Sequence, residues 1–81
     1  MNETNVLEVI IRHAREVIPG LAAHRFSSDD SLRELGANSI DRSEIVMMTM
    51  ESLSLSIPLI EVARAGSVGE LASILHSKLP S

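Results

Sequence analysis

The sequence contains no cysteine, no tryptophan and no tyrosine, and Phe26 is its only aromatic residue. Without cysteine there is no disulfide framework, no thiolate metal site and no cysteine nucleophile, a composition that fits a reducing cytoplasm. With one aromatic residue, the core must come from Leu, Ile, Val, Met and Ala, which suits helices better than a β-sandwich. Positive charge is also scarce: 7 Lys and Arg stand against 11 Asp and Glu, a formal net charge of −4. That balance lacks the clustered basic footprint of a nucleic-acid binder and is compatible with partners that present basic surfaces. No apolar run approaches the roughly 18 residues that a membrane span requires. The N-terminus begins polar and acidic, so neither a signal peptide nor a membrane span is expected.

What is present reads as one short domain, residues 1–81. A chain of this size buries a modest share of its surface, which disfavours a deep active-site cleft. From Glu3 to Ile18, Leu7, Ile10, Ile11, Ala14, Val17 and Ile18 recur at helical spacing, and Pro19-Gly20 stops the pattern. A long connection follows, Pro19 to Asn38, rich in turn chemistry around Ser27-Ser28-Asp29-Asp30-Ser31. Leu21, Phe26, Leu32 and Leu35 punctuate it, which predicts a loop pinned along the bundle, with a short helical turn over Ser31–Leu35 ended by Gly36.

A second helix is predicted from Ser39 to about Leu53. Asn38 or Ser39 can cap it, and Asp41 places negative charge in the first turn, where the helix dipole favours it. Ile45, Val46, Thr49 and Leu53 form its inward stripe, while Ile40, Ser43, Met47 and Met50 point elsewhere. Pro58 suits the first position of a short third helix with Ile60, Val62 and Ala63, ended by Gly66. Ser67 and Glu70 read as a capping box at the head of a last helix bearing Val68, Leu71, Ile74, Leu75 and Leu79. The predicted fold is all-α: a small four-helix bundle with three longer helices, one short third helix and a long first loop.

Catalytic constellations fail one by one. His13, His24 and His76 are widely separated and read as surface or partly buried histidines. Ser39 follows no strand and sits in no nucleophile elbow, so a hydrolase would lack its base and orienting group. Gly36, Gly66 and Gly69 make no phosphate-binding loop, and Asp29, Asp30 and Glu34 lack the spacing of a cation loop, so no metal site is expected. Two features remain. Ser39 stands at a helix start after a glycine loop, where a serine is most often only a cap. Met47, Met48 and Met50 lie with Ile40 on a helix whose circumference they cannot all bury, which predicts exposed apolar surface for a partner.

Leu35-Gly36-Ala37-Asn38-Ser39-Ile40 resembles the Leu-Gly-x-Asp-Ser-Leu motif of acyl carrier proteins. The order of the first helix, the loop with Asp30-Ser31-Leu32, the helix after Ser39, Ile57-Pro58 and the final helix resembles that family over nearly the whole chain. The resemblance implies a non-enzymatic carrier whose cofactor is 4′-phosphopantetheine, attached to Ser39 through a phosphodiester. Residues 41–75, with Arg42, Glu44 and the Met47-Met48-x-Met50 run, further resemble the free-standing donor acyl carrier proteins of polyketide β-branching cassettes. Such carriers give an acetyl, occasionally propionyl, unit to an HMG-CoA-synthase-like enzyme.

The partners so implied are a phosphopantetheinyl transferase, that synthase, a ketosynthase-type decarboxylase and an acyltransferase. The carrier itself is implied to be a cytoplasmic monomer, meeting neither nucleic acid nor membrane. The implied docking face comprises Asn38, Ile40, Arg42, Ser43, Glu44, Met47 and Met50, with Ile60, Val62 and Arg64 at its edge. Asn38 departs from the family pattern, which has aspartate there; it can still cap the helix but lacks the charge that would face a basic group on the transferase. The alternatives are a general carrier for polyketide or fatty-acid elongation and a helical interaction module that never receives an arm. A peptidyl carrier would usually show histidine at the position of Asn38.

Overall fold

A computed structural model describes residues 1–80 and contains four α-helices: α1 (Glu3–Val17), α2 (Ser39–Ser52), α3 (Leu59–Val62) and α4 (Val68–Ser77), with a 3₁₀ turn at Pro19–Leu21. Helix α1 begins at a reciprocal cap not anticipated from the sequence. Asn2 Oδ1 accepts the Asn5 amide at 2.8 Å, and Asn5 Oδ1 accepts the Asn2 amide at 3.2 Å. This helix lies against both α2 and α4. Its buried arc is therefore displaced from the predicted stripe: Val6, Ile10, His13 and Ala14 are innermost, while Leu7 and Val17 only pack alongside. His13, read as surface or partly buried, is buried, with Nε2 at 2.7 Å from Ser52 Oγ across the α1–α2 contact.

The long first loop is pinned as its apolar residues predict. Leu21 and Leu32 are buried, and Phe26 packs against the core with the Arg15 guanidinium 5.4 Å above its ring. Two backbone bonds tie this loop to the head of α4: Val68 N–H donates to Asp30 O at 2.8 Å and Gly69 N–H to Ser28 O at 2.9 Å. A Cβ on Gly69 would stand 2.7 Å from the Ser28 carbonyl oxygen, so the approach depends on glycine. Ser31–Leu35 forms the single helical turn expected, closed by Leu35 N–H to Ser31 O at 3.0 Å and followed by Gly36.

Helix α2 buries Ile45, Val46, Thr49 and Met50, and the Thr49 hydroxyl is satisfied by Ile45 O at 2.8 Å. Helix α3 is a single turn for which Pro58, with extended ψ, is the cap rather than the first helical residue. At α4 the Ser67 hydroxyl accepts the Glu70 amide at 3.1 Å. The Glu70 carboxylate accepts from Gly66 N–H at 3.2 Å instead of Ser67, so the predicted capping box closes one residue earlier. Lys78 Nζ reaches Glu61 Oε1 at 3.0 Å and joins α4 to α3.

Ile10, Ile45 and Leu75 are fully buried at the centre of the bundle. Each such side chain contributes about 1.5–3 kcal/mol relative to exposure. The whole measures 34 × 22 × 19 Å. No helix of the described residues is long and apolar enough to cross a membrane.

Candidate functional site

The site begins with a backbone joint. Gly36 adopts φ +102°, a conformation open to glycine, and lets the chain turn out of the Ser31–Leu35 region toward α2. Ala37 is then drawn into the core, with its amide donating to Leu32 O at 2.9 Å. Asn38 is the N-cap: its Oδ1 accepts the Asp41 amide at 2.8 Å, and Asp41 Oδ2 accepts the Asn38 amide at 3.4 Å. With Asn38 as the cap, the hydroxyl of the next residue is not needed to start the helix. Ser39 is the first residue of α2, its side chain is exposed, and its hydroxyl makes no hydrogen bond among the described residues.

Unpaired amides at the start of a helix carry partial positive charge, which favours an anionic phosphoester there. Beside Ser39 a groove of about 360 Å³ runs between α2, α3 and the approach to α4, with Val46, Leu59, Val62 and Leu71 as its apolar wall and Ser31, Arg33, Arg42 and Ser43 on its polar side. A free hydroxyl, an anion-favouring helix end and an adjoining groove together fit a covalent phosphate-linked arm. A wider depression along α1, lined by Arg12, Arg15, Arg25 and Phe26 among others, contains no comparable hydroxyl. Among the described residues no group of three His, Asp or Glu side chains is placed to hold a metal ion.

The predicted docking residues divide under the structure. Ile40 is 74% exposed, Met47 53% and Ile60 79%, so α2 and α3 present apolar side chains to solvent, with Ile40 directly after Ser39. Asn38, Ser43, Glu44 and Arg64 are exposed, with Arg64 in the turn just past α3 rather than on it. Met50 and Val62 belong to the core instead, at 8% and 3% exposure, and offer no docking surface. Met50 shares the core cluster with Leu53, against which Leu55 and Ile57 pack, and the chain after α2 is turned by Leu55 N–H donating to Met50 O at 2.8 Å. Met48, whose packing the sequence left open, is half-buried. Leu59, missed by the sequence reading, is partly exposed at the start of α3; its place directly after Pro58 was the available signal.

Asp30, on the loop pinned to α4, has its carboxyl held below its ordinary value. The main cause is the Ser27 amide donating to Oδ2 at 2.8 Å; the His24 ring at 3.0 Å adds to it.

The helical fold and the phosphate-favouring groove define a class of protein: small helical carriers of a covalently attached arm. The family described as phosphopantetheine attachment site matches residues 8–75, and the chain belongs to this family of acyl carrier proteins, which carry 4′-phosphopantetheine covalently on a serine. More particularly, it is 47% identical over 81 residues to the polyketide biosynthesis acyl-carrier-protein AcpK of Bacillus subtilis (strain 168), spanning 100% of this chain and 99% of that one. It is also similar to a solved chain from the complex of the curacin biosynthetic pathway HMG synthase with acetyl donor-ACP. That match has a TM-score of 0.92 and 45% identity, covering 96% of this chain and 100% of the other.

Proposed function

We propose that Ser39 is the residue that carries 4′-phosphopantetheine, and that the loaded protein donates an acetyl, or propionyl, unit to an HMG-CoA-synthase-like enzyme during polyketide β-branching. The observation that carries this reading is the exposed, unbonded Ser39 hydroxyl beside an Asn38 that already caps the helix. When bound, the arm supplies a thiol on which an acyl group travels as a thioester. The chain's own residues do the rest. Ser39 Oγ provides the oxygen of the linkage, the α2 amides favour the phosphate charge, and Gly36 and Ala37 hold the serine outward. Ile40, Met47, Leu59 and Ile60 offer apolar contact to partners, and Asn38, Ser43, Glu44 and Arg64 the polar discrimination around it.

The protein performs no catalysis in this reading; it raises the effective concentration of the acyl group at whichever enzyme its surface selects. A phosphopantetheinyl transferase installs the arm, and an acyltransferase with a ketosynthase-type decarboxylase furnishes the acetyl unit. The carrier works as a cytoplasmic monomer, where coenzyme A and these enzymes meet it. Similarity to the carrier solved with the curacin HMG synthase supports the choice of partner over a general elongation role.

Incubation with coenzyme A and a broad-range transferase, read by intact mass, tests the attachment. A gain of one phosphopantetheine in the wild type and none in Ser39→Ala is expected. No gain with several transferases would overturn it. Acetyl transfer to the synthase, set against transfer to a generic ketosynthase, tests the partner, and preference for the ketosynthase would favour the elongation carrier.

A further inference from the structure

Arg42 is placed by resemblance on the docking face, yet its guanidinium points back toward the loop before Ser39. Nη1 donates to the carbonyl of Ala37 at 2.8 Å, a span of five residues that passes over the cap and the serine. That carbonyl precedes the helix and lies outside its hydrogen-bond ladder, on a residue only 3% exposed. A buried acceptor without a partner is costly, so the bond fixes the peptide that joins Ala37 to Asn38. The Ala37 amide is already held by Leu32 O. Both polar groups of Ala37 are thus satisfied, and the peptide entering Asn38, one residue before Ser39, is held on its carbonyl side by Arg42.

The charge of Arg42 is not consumed elsewhere. The ion pairs among the described residues join other side chains, and Arg42 is half-buried on the polar side of the groove that adjoins Ser39. A guanidinium retains four further N–H donors when one is engaged, but its fork is fixed in direction by that one bond.

We infer that Arg42 is a positioning residue for the attachment serine, acting through the Ala37 carbonyl, rather than a contact whose purpose is partner binding. This rests on the assignment of Ser39 as the attachment residue. Arg42 lies one turn into α2, so losing its side chain leaves the Asn38 cap and the core stripe intact. What is lost is the orientation of Ser39 Oγ when the transferase engages it, and orientation errors appear in the chemical step more than in binding.

The test compares wild type, Arg42→Met and Arg42→Lys. Amide hydrogen exchange of the unloaded proteins is read first, because it does not depend on any arm. Arg42→Met is expected to raise exchange at Ala37, whose amide is held by Leu32 O, with the α1 and α4 core amides unchanged, where a general loss of stability would raise all of them. Steady-state loading by the transferase is read second. Arg42→Met should lower kcat about tenfold with KM for the carrier changed less than about twofold, and Arg42→Lys, whose ammonium can still reach a carbonyl, should recover most of the loss. Local exchange unchanged in Arg42→Met, or a loss confined to KM, would overturn the inference and return Arg42 to the docking face. Failure of the wild type to load would instead count against Ser39 and leave the exchange result to decide on Arg42.

Discussion

Asn38→Ala and Ser39→Ala, made singly, separate the two roles that meet at the head of α2. Asn38 Oδ1 satisfies the Asp41 amide at 2.8 Å, and removing it leaves that amide to solvent alone. Loss of an N-cap of this kind costs about 0.5–2 kcal/mol. In a domain of this size, about 1 kcal/mol corresponds to roughly 4–8 °C in Tm. Ser39 makes no such bond, and alanine is the better helix former by up to about 0.5 kcal/mol, so Ser39→Ala should be as stable as wild type or slightly more so. Urea and thermal unfolding of the unloaded variants, followed by far-ultraviolet circular dichroism, give the stabilities, and intact mass gives the loading. The expected pattern is crossed. Ser39→Ala keeps its stability and takes up no arm; Asn38→Ala loses about 1 kcal/mol and still loads, more slowly. A Ser39→Ala variant that loses as much as the cap variant would refute the reasoning, because the serine would then be structural. So would an Asn38→Ala variant of unchanged stability.

Met47 and Met50 should behave oppositely although they are three residues apart. Met50→Ala empties part of the core and should cost about 2–5 kcal/mol by urea denaturation, whereas Met47→Ala should stay within about 0.5 kcal/mol and instead weaken acetyl transfer to the synthase. Equal stabilities would contradict the packing described. Gly69→Ala gains about 1 kcal/mol of helix propensity but forces Ser28 away and strains two backbone bonds worth about 0.5–1.5 kcal/mol each, so a net loss of up to about 2 kcal/mol is expected in thermal unfolding. A more stable variant would mean that the loop yields freely. Asp30 titrates below its ordinary value of 3.8 in the folded protein, so it stabilises the fold above pH 3.8 and loses that contribution as pH falls through its lowered value. Asp30→Asn should therefore be less stable than wild type near neutral pH, with the difference closing in strong acid; a constant gap in urea midpoints across that range would contradict this.

Helix identity was legible in the sequence because apolar spacing and punctuation are local properties. Pro19-Gly20, the Gly36 turn, Pro58 and Pro80 bound the elements, and the 3.6-residue period fills them, so α1, α2 and α4 lie within a residue or two of their predicted limits. The motif around Ser39 was legible for the same reason: glycine, a capping residue and a serine are adjacent in the chain. Tertiary structure decided which arc of each helix is buried, since that depends on what lies alongside. Helix α1 sits between α2 and α4, so Val6 and His13 turn inward where spacing alone favoured Leu7 and Ile11. Met50 joins the core cluster with Leu53, against which Leu55 and Ile57 pack, while Met47, on nearly the same side of α2, remains exposed. Side-chain hydrogen bonds were equally out of reach of the sequence. Glu70 had two amides within reach and took Gly66, and Arg42 turned from solvent to the Ala37 carbonyl. Periodicity specifies that a helix forms and roughly where it ends; a buried face and a bonded side chain are fixed by neighbours that only the folded chain brings together.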